Sequence, residues 1–304
     1  MLLRHIRYFL AVAEHRNFTR AAEALHVSQP TLSQQIRQIE HTLGAQLLDR
    51  SGRTIQLTDA GEAYVRYAKR ALQELEAGKR AIHDVQELSR GSLRLAMTPT
   101  FTAYLIGPML EKYNRKYPNV ALNILEMPQD RMEALLNEDA LDVGIAFDET
   151  QTPDIETQTL FVEALAMVVG RSHPHAKRRS ALKVKEFERE ALVLLNEEFA
   201  TRRYIDRYCR RHGISPRISI EVNSINAVIE IVRRSTLTTV LPAAIARDHS
   251  ELCLVQLEPA LPRRTAALLL RKNAYRNAAT RAFIELALDE SAAETAGREL
   301  KPAI

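Results

Sequence analysis

The sequence predicts an α/β protein in three parts: a small helical head closed by a hairpin, one long helix, and a two-lobed body of alternating strands and helices. Three observations carry that expectation. Apolar residues recur at helical spacing through the first 43 residues. From Tyr64 to Val85 the apolar and small positions step by 4, 3, 4, 3, 4, 3, a 3.5-residue period. Beyond Gly91, short apolar runs alternate with helical patterns, as βα units require.

In the head, Leu3, Ile6, Phe9, Leu10 and Ala13 form the stripe of a first amphipathic helix. Phe18, Ala21, Ala22 and Leu25 repeat the stripe behind Asn17, a cap residue. Leu32, Ile36, Ile39 and Leu43 mark a third helix, with Ser28 placed to cap it and Pro30 in its first turn. Gly44 stops it. Two short runs around Arg50-Ser51-Gly52-Arg53 read as a hairpin.

The long helix spans Asp59 to Leu88. Its periodic positions, Tyr64, Ala68, Ala71, Leu75, Gly78, Ile82 and Val85, predict a two-helix seam between copies of the chain. The competing reading is an amphipathic helix lying on its own domain.

In the body, strands are expected at Leu93–Met97, Val120–Leu125, Leu141–Phe147, Leu160–Val169, Ala191–Leu195, Ile218–Val222, Leu237–Leu241, Leu252–Leu257 and Ala266–Leu270. Helical patterns fall at Tyr104–Tyr117, Arg202–His212, Ile225–Arg234 and Ala279–Leu288. This implies an open, mostly parallel sheet. The strands are too many for one small sheet, and the run Phe161–Gly170 reads as a crossing between two lobes.

A chain of 304 residues, 46% hydrophobic and 26% charged, has room for about two domains and excludes disorder, collagen and a disulfide scaffold. Cys209 and Cys253 stand 44 residues apart, which fits a reducing compartment and argues against a zinc ribbon. No apolar run approaches the roughly 18–20 residues that cross a bilayer. The run Tyr8–Ala13 is too short for a signal peptide, and Glu14 and His15 follow it. The expectation is a cytoplasmic protein without a membrane partner.

The net charge of +4 permits a polyanionic partner without demonstrating one. Residues 1–88 carry 12 basic and 10 acidic groups and residues 89–304 carry 30 and 28, so charge alone does not mark either end. Placement does. The second and third helices form a helix-turn-helix pattern, whose second helix enters the major groove. At about 100° per residue, Pro30, Ser33, Gln34, Arg37 and His41 lie opposite the apolar stripe of that helix, without a carboxylate among them. Gln pairs with adenine, and Arg with guanine or phosphate. Arg50 and Arg53 in the hairpin are placed to extend into the flanking minor groove or along the DNA backbone. Any surface helix has a polar face, so periodicity leaves DNA binding and a plain trihelical unit both open.

The stretch FTRAAEALHVSQPTLSQQIRQIEHTLGAQLLDRSGRTIQLTDAG, Phe18 to Gly61, resembles the winged helix-turn-helix of LysR-type transcriptional regulators, and the similarity continues to about residue 290. The resemblance implies a DNA-binding domain at 1–58, a dimerising linker helix at 59–89 and a periplasmic-binding-protein-like effector domain at 90–304. Its first lobe would span about 90–162 and 266–304, its second about 163–265. Ser28, Gln29, Pro30, Thr31, Ser33, Gln34 and Arg37 are implied as DNA-facing, with Arg50 and Arg53 beside them. The partners implied are double-stranded operator DNA, a small effector, a second copy in a homodimer or homotetramer, and RNA polymerase. Within the family, LTDAG, RALQELEAGKRAIHDV, GSLRLAMTPTF, LDVGIAF, EEFATR and NSINAVIE are similar to activators of cyanate operons, which implies cyanate as the effector.

Thr98-Pro99-Thr100-Phe101-Thr102 follows the first strand of the body, where hydroxyls and free amides at a helix start suit a small anion. Simple N-capping by Thr98 or Thr100 explains the same residues; the family resemblance favours a ligand pocket. The matching turn of the second lobe supplies Phe199 and Thr201, and strand ends add Gln129 and Phe147.

No catalytic residues, metal or cofactor are expected. Cys209 shares the apolar side of its helix with Ile205 and Tyr208, as a structural thiol does. His173-Pro174-His175 supplies too few metal ligands. Glu197 and Glu198 are adjacent, and G-x-G-x-x-G is absent.

Overall fold

The computed structural model describes the chain except residues 1, 2, 53, 87–90 and 300–304. It divides into two compact units, residues 1–82 and 83–304.

The first unit opens with α1 (Leu3–His15), α2 (Phe18–Ala24) and α3 (Gln29–Leu43). Their apolar stripes meet in one core around Phe9, Val12, Ala21, Leu32, Ile36 and Ile39. Asn17 caps α2 by accepting from the Arg20 amide at 3.0 Å. The Ser28 hydroxyl accepts from the Thr31 amide at 3.3 Å, and Gly44 ends α3 in the left-handed region at φ 66°. The hairpin pairs β1 (Leu48–Asp49) with β2 (Gln56–Leu57) antiparallel. The 28-residue helix α4 (Asp59–Gln86) follows.

The start of α4 packs on the head. The Tyr64 ring stands 5.3 Å from that of Phe9, Ala68 is buried, and a Cβ at Gly61 would collide with the Leu47 carbonyl. Tyr64 therefore packs on the head's own core and Ala68 is buried, so neither lies on the exposed side of α4 where the seam between copies was expected. Apolar exposure begins one position along the surface, at Tyr67, and continues through Ala71, Leu75 and Ile82. The side chain of Val85 lies outside the described residues.

The second unit begins with β3 (Ser92–Met97), α5 (Pro99–Thr102), α6 (Ile106–Lys116), β4 (Ala121–Glu126), α7 (Gln129–Asn137) and β5 (Val143–Phe147). The 16-residue strand β6 (Ile155–Gly170) carries the chain into the second lobe. There lie β7 (Leu182–Lys183), α8 (Val184–Phe187), β8 (Ala191–Leu195), α9 (Ala200–His212), β9 (Arg217–Val222), α10 (Ile225–Arg234), β10 (Thr238–Pro242), α11 (Ala243–Asp248), β11 (Leu252–Val255) and β12 (Leu257–Glu258). The chain returns on β13 (Arg263–Arg271) and closes with α12 (Ala278–Glu299).

The strands run in the order β4-β3-β5-β13-β6-β10-β8-β9, with β11 also on β6. Three outer strands of each lobe are parallel, but β13 and the whole of β6 pair antiparallel. The sheet is thus mixed rather than mostly parallel, because the two strands that connect the lobes run in opposite directions. Apolar patterning does not encode strand direction. β6 changes partners between Ala164, opposite Arg263, and Leu165, opposite Pro242. Each lobe buries apolar side chains on both faces of its sheet, as βα units dictate.

Four helices absent from the pattern reading, α5, α7, α8 and α11, are short, with four, nine, four and six residues. The helix expected at Tyr104–Tyr117 is present as α6, and the last expected strand of the second lobe splits into β11 and β12.

Candidate DNA-reading face and effector cleft

Leu32, Ile36 and Ile39 seat α3 in the head, and that fixes what it presents outward. Ser28, Gln29, Pro30, Thr31, Gln34 and Arg37 are exposed, and Ser33 is half-buried beside them. The carboxylate of α3, Glu40, turns to the hairpin. Its Oε1 accepts from the Leu47 and Leu48 amides at 3.0 and 3.2 Å, and Oε2 accepts from Arg50 Nη2 at 2.6 Å. The outward face is therefore polar and free of carboxylates, as a surface approaching phosphate requires.

Arg50 also stands 5.6 Å over the Phe18 ring. Its guanidinium braces the hairpin against α2 and α3, a positioning role the sequence reading missed. Arg53 lies outside the described residues.

In the second unit a cavity of about 700 Å³ opens between the lobes, lined by Gln129, Phe147 and Glu149 on one side and Arg203, Tyr204 and Arg207 on the other. The Tyr204 hydroxyl donates to Glu149 Oε1 at 3.2 Å across the cleft. Burial, and then the nearby Glu149 carboxylate, pushes that hydroxyl above its ordinary pKa. Arg202 is paired with Asp206 and Glu221. Arg203 and Arg207 are exposed and have no ion-pair partner among the described residues.

The expected effector residues divide into three groups. Gln129 and Phe147 line the cavity, but the Gln129 amide is engaged with backbone: Oε1 accepts from Phe147 N at 3.1 Å, and Nε2 donates to the Phe147 and Glu149 carbonyls at 3.0 Å. Thr98, Thr100 and Thr201 are buried; the first two hydroxyls are 3.5 Å apart, and Thr201 Oγ1 accepts from Arg264 Nη1 at 3.1 Å. Phe101 and Phe199 pack in the cores of the first and second lobes and do not line this cavity, contrary to the expectation that they bind the effector. Thr98 precedes α5 without capping it, and α5 has four residues, too few to build a substantial dipole.

The wall is made instead by Phe147 and Tyr204, with Arg264 behind them: its guanidinium carbon lies 4.1 Å from the centre of the Phe147 ring and 5.5 Å from that of Tyr204. The pattern reading missed Arg264, Glu163, Tyr204, Arg203 and Arg207. One signal was present. Glu163 interrupts the apolar run Phe161–Gly170, and a charge in a buried strand demands a partner.

In the second lobe, Glu190 bridges two histidines, with Oε2 3.2 Å from His173 Nε2 and Oε1 3.1 Å from His175 Nε2. The Thr238 hydroxyl donates to the same carboxylate at 3.1 Å. No group of three His, Cys, Asp or Glu among the described residues is arranged to hold a metal. Burial pushes the Cys209 thiol up to about 11. Among the described residues no helix is long and apolar enough to cross a membrane.

Residues 3–62 match the profile described as "Bacterial regulatory helix-turn-helix protein, lysR family", and residues 86–292 match "LysR substrate binding domain". The chain belongs to the LysR family. It is 29% identical over 274 residues to the "Hydrogen peroxide-inducible genes activator" of Pectobacterium carotovorum subsp. carotovorum, covering 89% of this chain and 90% of that protein. It is 32% identical over 250 residues to the HTH-type transcriptional regulator YnfL of Escherichia coli (strain K12), covering 81% and 83%. The fold matches full-length CbnR complexed with its target DNA at a TM-score of 0.62 and 24% identity, covering 96% of this chain and 100% of that one. This LysR-family protein is a DNA-binding transcriptional regulator that responds to a small-molecule effector, and not an enzyme.

Proposed function

We propose that this LysR-family regulator reads its operator with the outward face of α3, pairs with a second copy along α4, and takes an organic anion between the lobes of its effector domain. One observation carries the DNA reading: the carboxylate of α3 is turned inward while Gln29, Gln34 and Arg37 are exposed. Gln and Arg are the side chains that read base edges in the major groove. Tyr67, Leu75 and Ile82, each about half or more exposed, supply an apolar stripe for the second copy. A two-fold dimer, or a tetramer built from dimers, places two reading heads on a partly palindromic site. Activation through RNA polymerase and a cytoplasmic location follow from the family resemblance.

The cleft supports an anion larger than cyanate. Cyanate has three atoms, whereas about 700 Å³ suits a drug-sized ligand, and Arg203 and Arg207 flank the space. Effector binding would shift the population of lobe arrangements and with it the DNA-bound geometry.

Footprinting on DNA upstream of the protein's own gene tests the DNA reading. Two protected half-sites with the wild type and their loss with Arg37→Ala support it; a bare region with the wild type overturns it. Thermal-shift comparison of cyanate with benzoate separates the two effector readings.

A further inference from the structure

Residues 171–217, from the end of β6 to the start of β9, hold 13 basic and 6 acidic residues, while the rest of the chain holds 29 and 32. That excess of seven positive charges is larger than the excess in the helix-turn-helix head, where residues 1–58 hold 7 basic and 4 acidic. Four of the six carboxylates are engaged: Glu186 with Arg178, Glu188 with Lys185, Asp206 with Arg202, and Glu190 with His173 and His175. Glu197 and Glu198 precede α9. The uncompensated charge stands on α9 itself. Ile205, Tyr208 and Cys209 seat this helix in the second-lobe core. On the opposite side Arg203, Arg207, Arg210 and Arg211 fall within about 100° of one another, at about 100° per residue. All four are exposed and have no ion-pair partner among the described residues.

Arg203 with Arg207, Arg207 with Arg210, and Arg207 with Arg211 are like charges one turn apart, and each such pair destabilises a helix left to itself. The helix dipole favours cations in the last turn, where Arg210 and Arg211 stand, but it does not account for Arg203 and Arg207. A polyanion relieves the repulsion along the whole stripe. From Arg203 to Arg211 the helix rises about 12 Å, and over that length a DNA duplex presents about seven phosphates. Arginine also grips phosphate with two parallel N–H groups. We infer that the outer face of α9, in the effector domain, is a second DNA-contacting surface, which holds phosphates of the operator outside the stretch read by α3. The inference rests on the DNA reading above. A second copy of the chain is the weaker match, because outside this segment its excess is only three negative charges. Arg203 and Arg207 border the effector cleft, whereas Arg210 and Arg211 do not line it and belong to this surface alone. Contacts to phosphate add affinity without reading sequence, and salt weakens them.

Fluorescence anisotropy of the full-length protein against ionic strength tests this, on a long operator duplex and on one trimmed to the two protected half-sites. The double variant Arg210→Ala/Arg211→Ala should weaken binding to the long duplex about tenfold or more at 0.1 M salt and lower the salt slope by about 2 for each protomer in contact. Binding to the trimmed duplex should stay at the wild-type level, and so should Tm, because both side chains are exposed. Arg210→Lys/Arg211→Lys keeps the charges and should restore the slope. An unchanged slope on the long duplex, equal losses on both duplexes, or no rescue by lysine would each overturn the surface. Unchanged DNA binding with lost transcription in a purified system would give the stripe to an acidic protein partner and overturn it as well. Loss of binding in Arg37→Ala but not in the arginine pair sinks the α9 surface and leaves the α3 reading in place. A wild type that binds neither duplex overturns the DNA reading instead.

Discussion

Glu40 Oε2 accepts from Arg50 Nη2 at 2.6 Å while Oε1 takes the amide hydrogens of Leu47 and Leu48. One carboxylate thus ties α3 to the hairpin, with its side chain 11% exposed. Glu40→Ala leaves those amides without their acceptor and should cost the head about 1–3 kcal/mol. Glu40→Gln retains an acceptor oxygen and should cost less. Urea unfolding followed by circular dichroism measures both; an unchanged midpoint in Glu40→Ala would show that the hairpin is held in place by other contacts.

Gln34 and Arg37 lie one turn apart on the exposed side of α3. If each contacts a base edge, Gln34→Ala and Arg37→Ala should lose about 1–3 kcal/mol of operator binding apiece and relax preference at one base pair. If Arg37 meets phosphate, binding weakens equally on all sequences and the salt slope falls by about 1. Fluorescence anisotropy against ionic strength tells the two apart. Affinity unchanged in both variants would remove α3 from the interface.

The two sides of α4 should respond differently to the same kind of change. Leu75 is 49% exposed and Ala68 3% exposed. Leu75→Asp should therefore dissociate the oligomer and leave the head folded, as read by sedimentation and circular dichroism. Ala68→Leu should overpack the head and cost about 1–3 kcal/mol whatever the oligomeric state. An unchanged sedimentation coefficient in Leu75→Asp would refute the seam.

Much of this division was legible in the residues. The 3.5-residue step located α4, and the stripes at Leu32, Ile36 and Ile39 located the face of α3 left exposed. The step did not show that Tyr64 and Ala68 face inward, because a head that packs on the first turns of its own helix produces the same period as a partner would. The effector site was less legible for a related reason. Thr201 was singled out by its position after a strand end, but what it touches is decided by Arg264, on a strand that meets Glu163 only after the chain has crossed between lobes twice. A register such as Arg264 opposite Glu163 is a tertiary fact that no local period carries.

His173 sits beside Glu190 and His175 with its side chain 3% exposed. Burial holds its imidazole below the ordinary value near 6.5, against the pull of Glu190 and with a further push from His175. In the unfolded chain the same ring takes up a proton near pH 6.5, so below that pH the unfolded state binds more protons and folding loses stability until the folded group titrates. His173→Asn should flatten this dependence. Urea midpoints at pH 7.5 and 5.5 check it: a wild-type drop no larger than that of the variant would exclude His173 as its source.

Cys209 lies in the second-lobe core with Ile205 and Tyr208, and burial pushes its thiol up to about 11. Thiolate is the nucleophilic form, so at pH 8 little of it is reactive. Iodoacetamide at pH 8 should therefore label the folded protein slowly at Cys209 and faster at Cys253, which is partly exposed. Peptide mapping after a short pulse of label gives the two rates, and faster modification at Cys209 would contradict the structural role assigned to that thiol.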